Sequence, residues 1–208
     1  MRAENLIARL NASLDNIGIR SNEDARPKDC SAEDKYIKVE NKTNLTRAAV
    51  LVPIISRDDG LQVLLTKRTE HLKNHPGQIS FPGGSVDDTD LDAQHTALRE
   101  TEEEVGLDPS HVEIIGELDQ YIVGTGYLVS PIIGLIKPPF KLIRQEDEVA
   151  EIFEAPLDFL ITLENFTPYA RKFNGKLYHH FAITWHDYFI WGATAGMLRN
   201  LSQRLMNI

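Results

Sequence analysis

Cysteine is nearly absent from this chain: Cys30 stands alone among 208 residues. A single thiol excludes an intrachain disulfide framework and any zinc cluster built on cysteine. Its polar N-terminal surroundings, with no paired base nearby in sequence, suit an inert or mildly reactive thiol better than a nucleophile. Long apolar runs are missing too. Ala48–Ile55 is among the longest and falls far short of the ~18 residues of a transmembrane helix. The opening MRAENLIARLNASL carries charge throughout and has no apolar signal-peptide core. A cytoplasmic, reducing compartment and no membrane partner are therefore expected. Positive charge is the third shortage. Against 31 Asp and Glu there are 22 Lys and Arg, a net charge of −9, whereas nucleic-acid binding needs clustered bases. A nucleic-acid partner is not expected. Neither repeats nor low-complexity tracts occur, and 42% hydrophobic with 25% charged residues is the balance of a globular chain with a full core. The acid excess itself has two readings, a solvated surface or carboxylates gathered to hold metal, and composition does not choose between them.

Periodicity divides the chain into residues 1–45, an N-terminal helix and polar extension, and residues 46–208, one dense domain. Leu6, Ile7, Leu10 and Leu14 recur at helical spacing. From Asp15 to Thr46 the sequence is polar and aperiodic. Ala48–Ile55 and Gln62–Thr66 are β-rich runs joined by Arg57-Asp58-Asp59-Gly60, a turn signal. His75–Gly84 reads as a loop with one short strand, and Leu91–Val105 as a helix stopped at Gly106. Further strands are expected at Val112–Leu118, Leu128–Ile136 and Val149–Phe153, and a short helix at Pro156–Leu163. Asn174-Gly175 between Tyr169–Phe173 and Lys176–Trp185 is a strong hairpin signal. A final helix spans Gly192–Met206. Strands interspersed with a few helices predict an α/β (α+β) fold, a sandwich on a mixed sheet.

The densest chemistry lies in Arg99-Glu100-Thr101-Glu102-Glu103-Glu104-Val105. At ~100° per residue, Ala97, Leu98, Thr101 and Val105 share the core side, while Glu100, Glu103 and Glu104 converge within an arc of roughly 100°. Glu102 falls nearly opposite, as ordinary solvated charge. Three carboxylates at these spacings repel one another, and acid near a helix C-terminus also opposes the macrodipole. A divalent cation turns the repulsion into a site, and hard oxygen donors suit Mg²⁺ or Mn²⁺ rather than zinc. The alternative is a solvated acidic face. Phe81-Pro82-Gly83-Gly84, just upstream, lets backbone approach closely, as a phosphate or metal site requires.

Gly84 to Leu107 resembles the Nudix box, which runs Gly, five residues, Glu, seven residues, then Arg-Glu-apolar-x-Glu-Glu-x-Gly-apolar. The second half matches at Arg99, Glu100, Glu103, Glu104, Gly106 and Leu107, with Thr101 in the apolar slot. The first half departs from it: Asp90 takes the acidic position, and one extra residue separates it from Arg99. Leu64-Leu65-Thr66-Lys67-Arg68-Thr69, then Gly77, then Phe81-Pro82-Gly83-Gly84, resembles the signature of the coenzyme A pyrophosphatases within that superfamily, with Thr69 for Ser and Lys73 for Arg. The likeness extends through Gly124–Pro131 and Trp191-Gly192-x-Thr194-Ala195.

The resemblance implies a Nudix-type α/β/α sandwich and metal-assisted attack of water on the pyrophosphate of a small nucleotide substrate. For coenzyme A the products would be 3′,5′-ADP and 4′-phosphopantetheine. Rival substrates are ADP-ribose, dinucleotides and other nucleotides, and a rival class is a Nudix-fold binding module without turnover. On this reading Glu103 and Glu104 are metal ligands, and Glu100 is a ligand or the group that orients or deprotonates water. The Gly83 carbonyl completes the coordination, Gly84 lies against the substrate, and Arg99 holds a glutamate by a charge-assisted bond. Lys67, Arg68 and Lys73 are placed against substrate phosphates, with ordinary surface charge as the alternative. In the run Glu146-Asp147-Glu148, Glu148 is the candidate for a late ligand or base, against a solvated loop. Trp185, Tyr188 and Trp191 either stack on adenine or belong to the core. His71, His75, His95, His179 and His180 read as structural. A homodimer is a candidate assembly.

Overall fold

The computed structural model describes residues 1–13, 18–21, 45–72, 74–173 and 176–206. Cys30, Lys73 and the Asn174-Gly175 turn lie outside them. Among the described residues the chain runs α1 (Ala3–Ser13), β1 (Ile19–Ser21), β2 (Thr46–Arg57), β3 (Gly60–Arg68), β4 (Ile79–Ser80), β5 (Gly83–Ser85), α2 (Ala93–Val105), β6 (Val112–Glu117), β7 (Gln120–Val123), β8 (Tyr127–Ile136), β9 (Val149–Pro156), α3 (Leu157–Leu160), β10 (Thr167–Phe173), β11 (Lys176–Trp185), β12 (Tyr188–Trp191) and α4 (Ala193–Met206).

The large sheet is mixed, as the pattern of strands and helices predicts. Its path is β1-β7-β8-β2-β3-β4, with β5 on β2, β6 on β8 and β9 on β3. The central strand β2 pairs parallel to β8 and antiparallel to β3, and its side chains alternate between two cores. Ala48, Val52 and Ile54 face one core, while Ala49, Leu51 and Ile55 face the other. A strand buried on both faces reads as an unbroken apolar run, and Ala48–Ile55 is one. Ala97, Val105 and Leu107, on and just beyond α2, cover the second face. The first face is covered by α1, through fully buried Leu6 and Leu10, by α4, and by a separate antiparallel sheet β10-β11-β12.

Two helix ends follow from side-chain chemistry. Asp92 caps α2 by accepting from the His95 N–H at 2.8 Å, which places the start two residues later than the apolar periodicity predicts. Gly106 ends it, its N–H returning to the Glu102 carbonyl. Thr101, in the apolar slot, is 1% exposed because its hydroxyl donates to the Ala97 carbonyl at 2.6 Å. Strands β1, β7 and β12 are additions to the sequence pattern. Each has only three or four residues, too few to show a period, and β1 falls in the polar, aperiodic extension.

Strand β1 is held by more than its ladder to β7. Asp119, 4% exposed, accepts from the Gly18 N–H at 2.7 Å, Arg20 Nε at 2.6 Å, Asn200 Nδ2 at 2.8 Å, and Arg204 Nη2. Burial pushes this carboxyl up, but those donors outweigh it and bring it down to about 2.

Candidate active site

The site forms where α2 passes behind the turn at Pro82–Ser85. Gly83 sits at φ 151°, and a Cβ there would lie 2.4 Å from the Ala49 carbonyl oxygen, so only glycine lets this turn close onto β2. The Gly83 N–H donates to Glu104 Oε2 at 3.3 Å. A Cβ on Gly84 would fall 2.3 Å from Glu100 Oε2, so the Glu100 carboxylate lies directly on that backbone. Two carboxylates of α2 are thus drawn back against a turn from which the sequence has removed the side chains.

Their environments differ from water. Glu104 is 5% exposed, and burial pushes its carboxyl up to about 8; the charges of Glu148 and Glu100 add to this, while Arg68 and the Gly83 N–H oppose it. Arg68 Nη1 stands 3.7 Å from Glu104 Oε1, outside hydrogen-bond reach. Glu100 is also raised, chiefly by burial and further by Glu103 and Glu148, against Arg99. Glu148 is exposed, yet its charge reaches both glutamates. Its segment is pinned by Thr69, whose N–H donates to the Glu148 carbonyl and whose hydroxyl donates to the Asp147 carbonyl, both at 2.9 Å. Glu146 instead pairs with Arg144 at 3.2 Å.

Arg99 is the hub. Its Nη1 donates to Glu100 Oε1 at 2.8 Å and to Glu103 Oε1 at 3.3 Å. Its other edge forms a fork on Asp90, Nε to Oδ1 at 3.0 Å and Nη2 to Oδ2 at 2.9 Å, which is the bidentate geometry a guanidinium favours. Asp90 also accepts from the Thr96 hydroxyl and the Asp87 N–H and meets His95 Nδ1. Arg99 first, and these neighbours with it, hold the Asp90 carboxyl far below the usual range. Motif counting leaves the partner of Arg99 open, because the extra residue shifts the register. The loop folds so that Asp90 reaches it regardless.

The sequence-predicted residues are therefore partly gathered. Glu100, Glu104, Gly83, Gly84, Arg99 and Arg68 converge, and Glu148 faces them. Glu103 lies to one side with its side chain 62% exposed, held by Arg99. Lys67 stands across from Glu151 on β9, while a register shift separates it from Arg68, which lies across from Val149. The aromatic candidates split into two groups. Trp185 and Tyr188 stack with Phe153, whereas Trp191 packs edge-on against Tyr169 and His180.

Among the described residues no three His, Cys, Asp or Glu side chains already stand as a metal-binding set. The partners these carboxylates have are Arg99, Arg68 and the Gly83 N–H. The donor chemistry nonetheless fits a hard divalent cation: a buried and a half-buried carboxylate that repel each other and have raised proton affinity, and a Cβ-free turn whose backbone lies against them.

Fold and site together define an enzyme class, hydrolases that present an acidic helix behind a glycine turn. The NUDIX domain model matches residues 45–181. The Nudix hydrolase NudL of Escherichia coli K12 is 45% identical over 164 residues, covering 78% of this chain and 84% of that protein. NudL of Shigella boydii serotype 4 has the same identity and coverage, 45%, 78% and 84%. Among solved structures, the Ap4A hydrolase of C. elegans in a binary complex overlaps about half of the chain, with TM-score 0.47, 20% identity, and coverage of 53% of this chain and 80% of that one. The chain belongs to the Nudix family. It is a pyrophosphohydrolase of nucleoside diphosphate derivatives, an enzyme class that uses divalent metal ions. No described helix is long and apolar enough to cross a membrane.

Proposed function

We propose that the protein hydrolyses the pyrophosphate bond of coenzyme A or a close derivative, releasing 3′,5′-ADP and 4′-phosphopantetheine, with Mg²⁺ or Mn²⁺ as the working ion. One observation carries this reading. The two halves of the coenzyme A-type signature meet at a single carboxylate: Arg68 donates its backbone N–H to the Gln78 carbonyl at 2.9 Å and turns its guanidinium to Glu104, which the Gly83 N–H approaches from the other half.

Glu100, Glu104 and the Gly83 carbonyl are the groups that would hold the ion, with Glu103 and Glu148 the next acids available. When bound, the ion supplies charge neutralisation, orientation of the diphosphate and acidification of a bound water. The chain's own residues do the rest. Arg99 fixes the Glu100 carboxylate while Asp90 fixes Arg99. Arg68 presents a guanidinium at the phosphate side of Glu104, where a planar fork suits phosphate oxygens. Glu100, with its proton affinity raised by burial, is suited to orient water or take its proton.

The test is a substrate panel of coenzyme A, ADP-ribose, NADH and nucleoside triphosphates, with Mg²⁺, with Mn²⁺ and with chelator. Coenzyme A should be cleaved fastest, and chelator should stop the reaction. Cleavage of ADP-ribose far above coenzyme A overturns the substrate; cleavage of nothing with metal present overturns catalysis.

A further inference from the structure

Strand β9 begins at Val149, immediately after Glu148, and leads away from the carboxylates along the edge of β3. On the sheet face opposite α2 it carries Phe153, which is 9% exposed. The β11–β12 hairpin lays two more rings against it. Tyr188 lies over Phe153 with centroids 3.8 Å apart and planes within 8°. Trp185 is nearly parallel to both, at 15° to Tyr188 and 12° to Phe153. In the turn joining the strands His186 takes φ 51°, and its ring meets Trp185 edge-on with centroids 4.5 Å apart. The Tyr188 hydroxyl donates to Glu151 at 2.5 Å, and Lys67, with no ion pair among the described residues, stands across from Glu151 in the β3–β9 register.

The other aromatic group of the same small sheet shows what packing alone produces. Tyr169 meets Phe189 and Trp191, and Trp191 meets His180, at 68° to 81°, edge to face, which is a favoured arrangement for interlocked rings, while Tyr169 and His180 are tilted at 35°. The Phe153 group instead lies parallel: Phe153 sits directly beneath Tyr188, and Trp185 lies alongside the pair, 5.7 Å from Tyr188 and 6.1 Å from Phe153, so that Tyr188 and Trp185 form one broad flat surface. A parallel aromatic stack with a cation beside it accepts one more flat ring, since every nucleobase has a π-face.

We infer that the Trp185–Tyr188 end of the β11–β12 hairpin is the platform on which the purine base of the substrate stacks, with Lys67 facing the phosphate on its ribose. The stacking platform rests on the nucleoside-diphosphate reading of the carboxylate site, and the role of Lys67 rests on the proposed coenzyme A substrate, whose ribose carries a phosphate. Glu148 closes the turn just before β9 and Glu151 is the third residue of that strand, so the two lie within about 10 Å of each other. A diphosphate at the carboxylates reaches Lys67 and the stack when its nucleoside passes around β9, which among the described residues pairs only with β3 and so edges the sheet.

The experiment separates this platform from turnover. In chelator, with no hydrolysis, adenosine 3′,5′-bisphosphate should quench the tryptophan fluorescence of the full chain saturably. The quench should survive Trp191→Phe and vanish in Trp185→Leu. In steady state with metal, Trp185→Leu should raise KM about tenfold with kcat within about twofold, and Trp185→Phe should recover most of the loss. Absence of a quench in the unsubstituted chain overturns the inference without any variant. So does a quench that persists in Trp185→Leu, or an unchanged KM. A quench from a chain that fails to cleave coenzyme A supports the platform and removes only the proposed substrate.

Discussion

Two buried carboxylates of this molecule have been driven in opposite directions. Asp119 is 4% exposed and sits at about 2; Glu104 is 5% exposed and sits at about 8. Neither is open to solvent, but Glu104 lies deeper than Asp119, and the two also differ in the donors they meet. Asp119 accepts from four donors, two of them arginines, drawn from the β1 segment and α4. Glu104 has one backbone N–H at 3.3 Å, one guanidinium at 3.7 Å, and two further carboxylates for company. A saturated carboxylate is a structural clasp. An undersupplied one among like charges is held for something else to complete, and on the proposed function that is a divalent cation.

Removing the charge of Glu104 should break the comparison most sharply. Glu104→Gln is expected to lower kcat by about 10³-fold while the fold survives, checked by steady-state kinetics and circular dichroism. Unchanged kcat would mean that Glu104 is no more functional than Asp119. The same variant inverts the usual sign of stability. Because the folded carboxyl is raised from 4.5 to about 8, its contribution in chelator is complete below pH 4.5 and is lost as pH rises through 8. Thermal melts in chelator at pH 8 should therefore show Glu104→Gln more stable than the unsubstituted protein.

Asp119→Ala should do the reverse, leaving kcat of the folded protein unchanged but destabilising it by about 3 kcal/mol in urea, since the arginines lose a buried partner. Its pH signature is also opposite. A carboxyl lowered from 3.8 to about 2 contributes about 2 kcal/mol that is present above pH 4 and disappears as pH falls through 2. Asp119→Asn should flatten the stability profile between pH 4 and 2.

A glycine beside Glu100, the neighbour of Glu104, and one beside Asp119 give the finest contrast. Gly84→Ala puts a Cβ 2.3 Å from Glu100 and should cost about tenfold in kcat, roughly 1.4 kcal/mol. Gly18→Ala puts one 3.6 Å from Asp119, an ordinary contact, and should change stability by less than about 0.5 kcal/mol in urea.

These two regions are unequally legible in the sequence. The acidic helix repeats within one turn, so periodicity alone separates the inward Glu100 and Glu104 from Glu102. It does not separate Glu103, which shares their arc but is drawn outward by Arg99. The grip of Asp90 on Arg99 is hidden because loop closure, not residue counting, decides which acid arrives. Lys67 and Arg68 are adjacent in sequence, and only the register shift on β9 reveals that they stand against different neighbours. The Asp119 clasp leaves no trace at all in the pattern. Its donors lie 81 to 101 residues away, and no periodic signal spans such distances.

Those same separations set an order of events during synthesis. The clasp joins Gly18 and Arg20, which leave the ribosome early, to Asn200 and Arg204, which leave late. Until the last helix has emerged, Asp119 lacks half its donors, and sinking an unpaired carboxylate is strongly unfavourable. The β1 edge of the sheet therefore closes only after translation has passed residue 204, while β2, β3 and α2 are free to assemble well before. The nascent protein can carry a formed catalytic turn before its first strand has anything to hold.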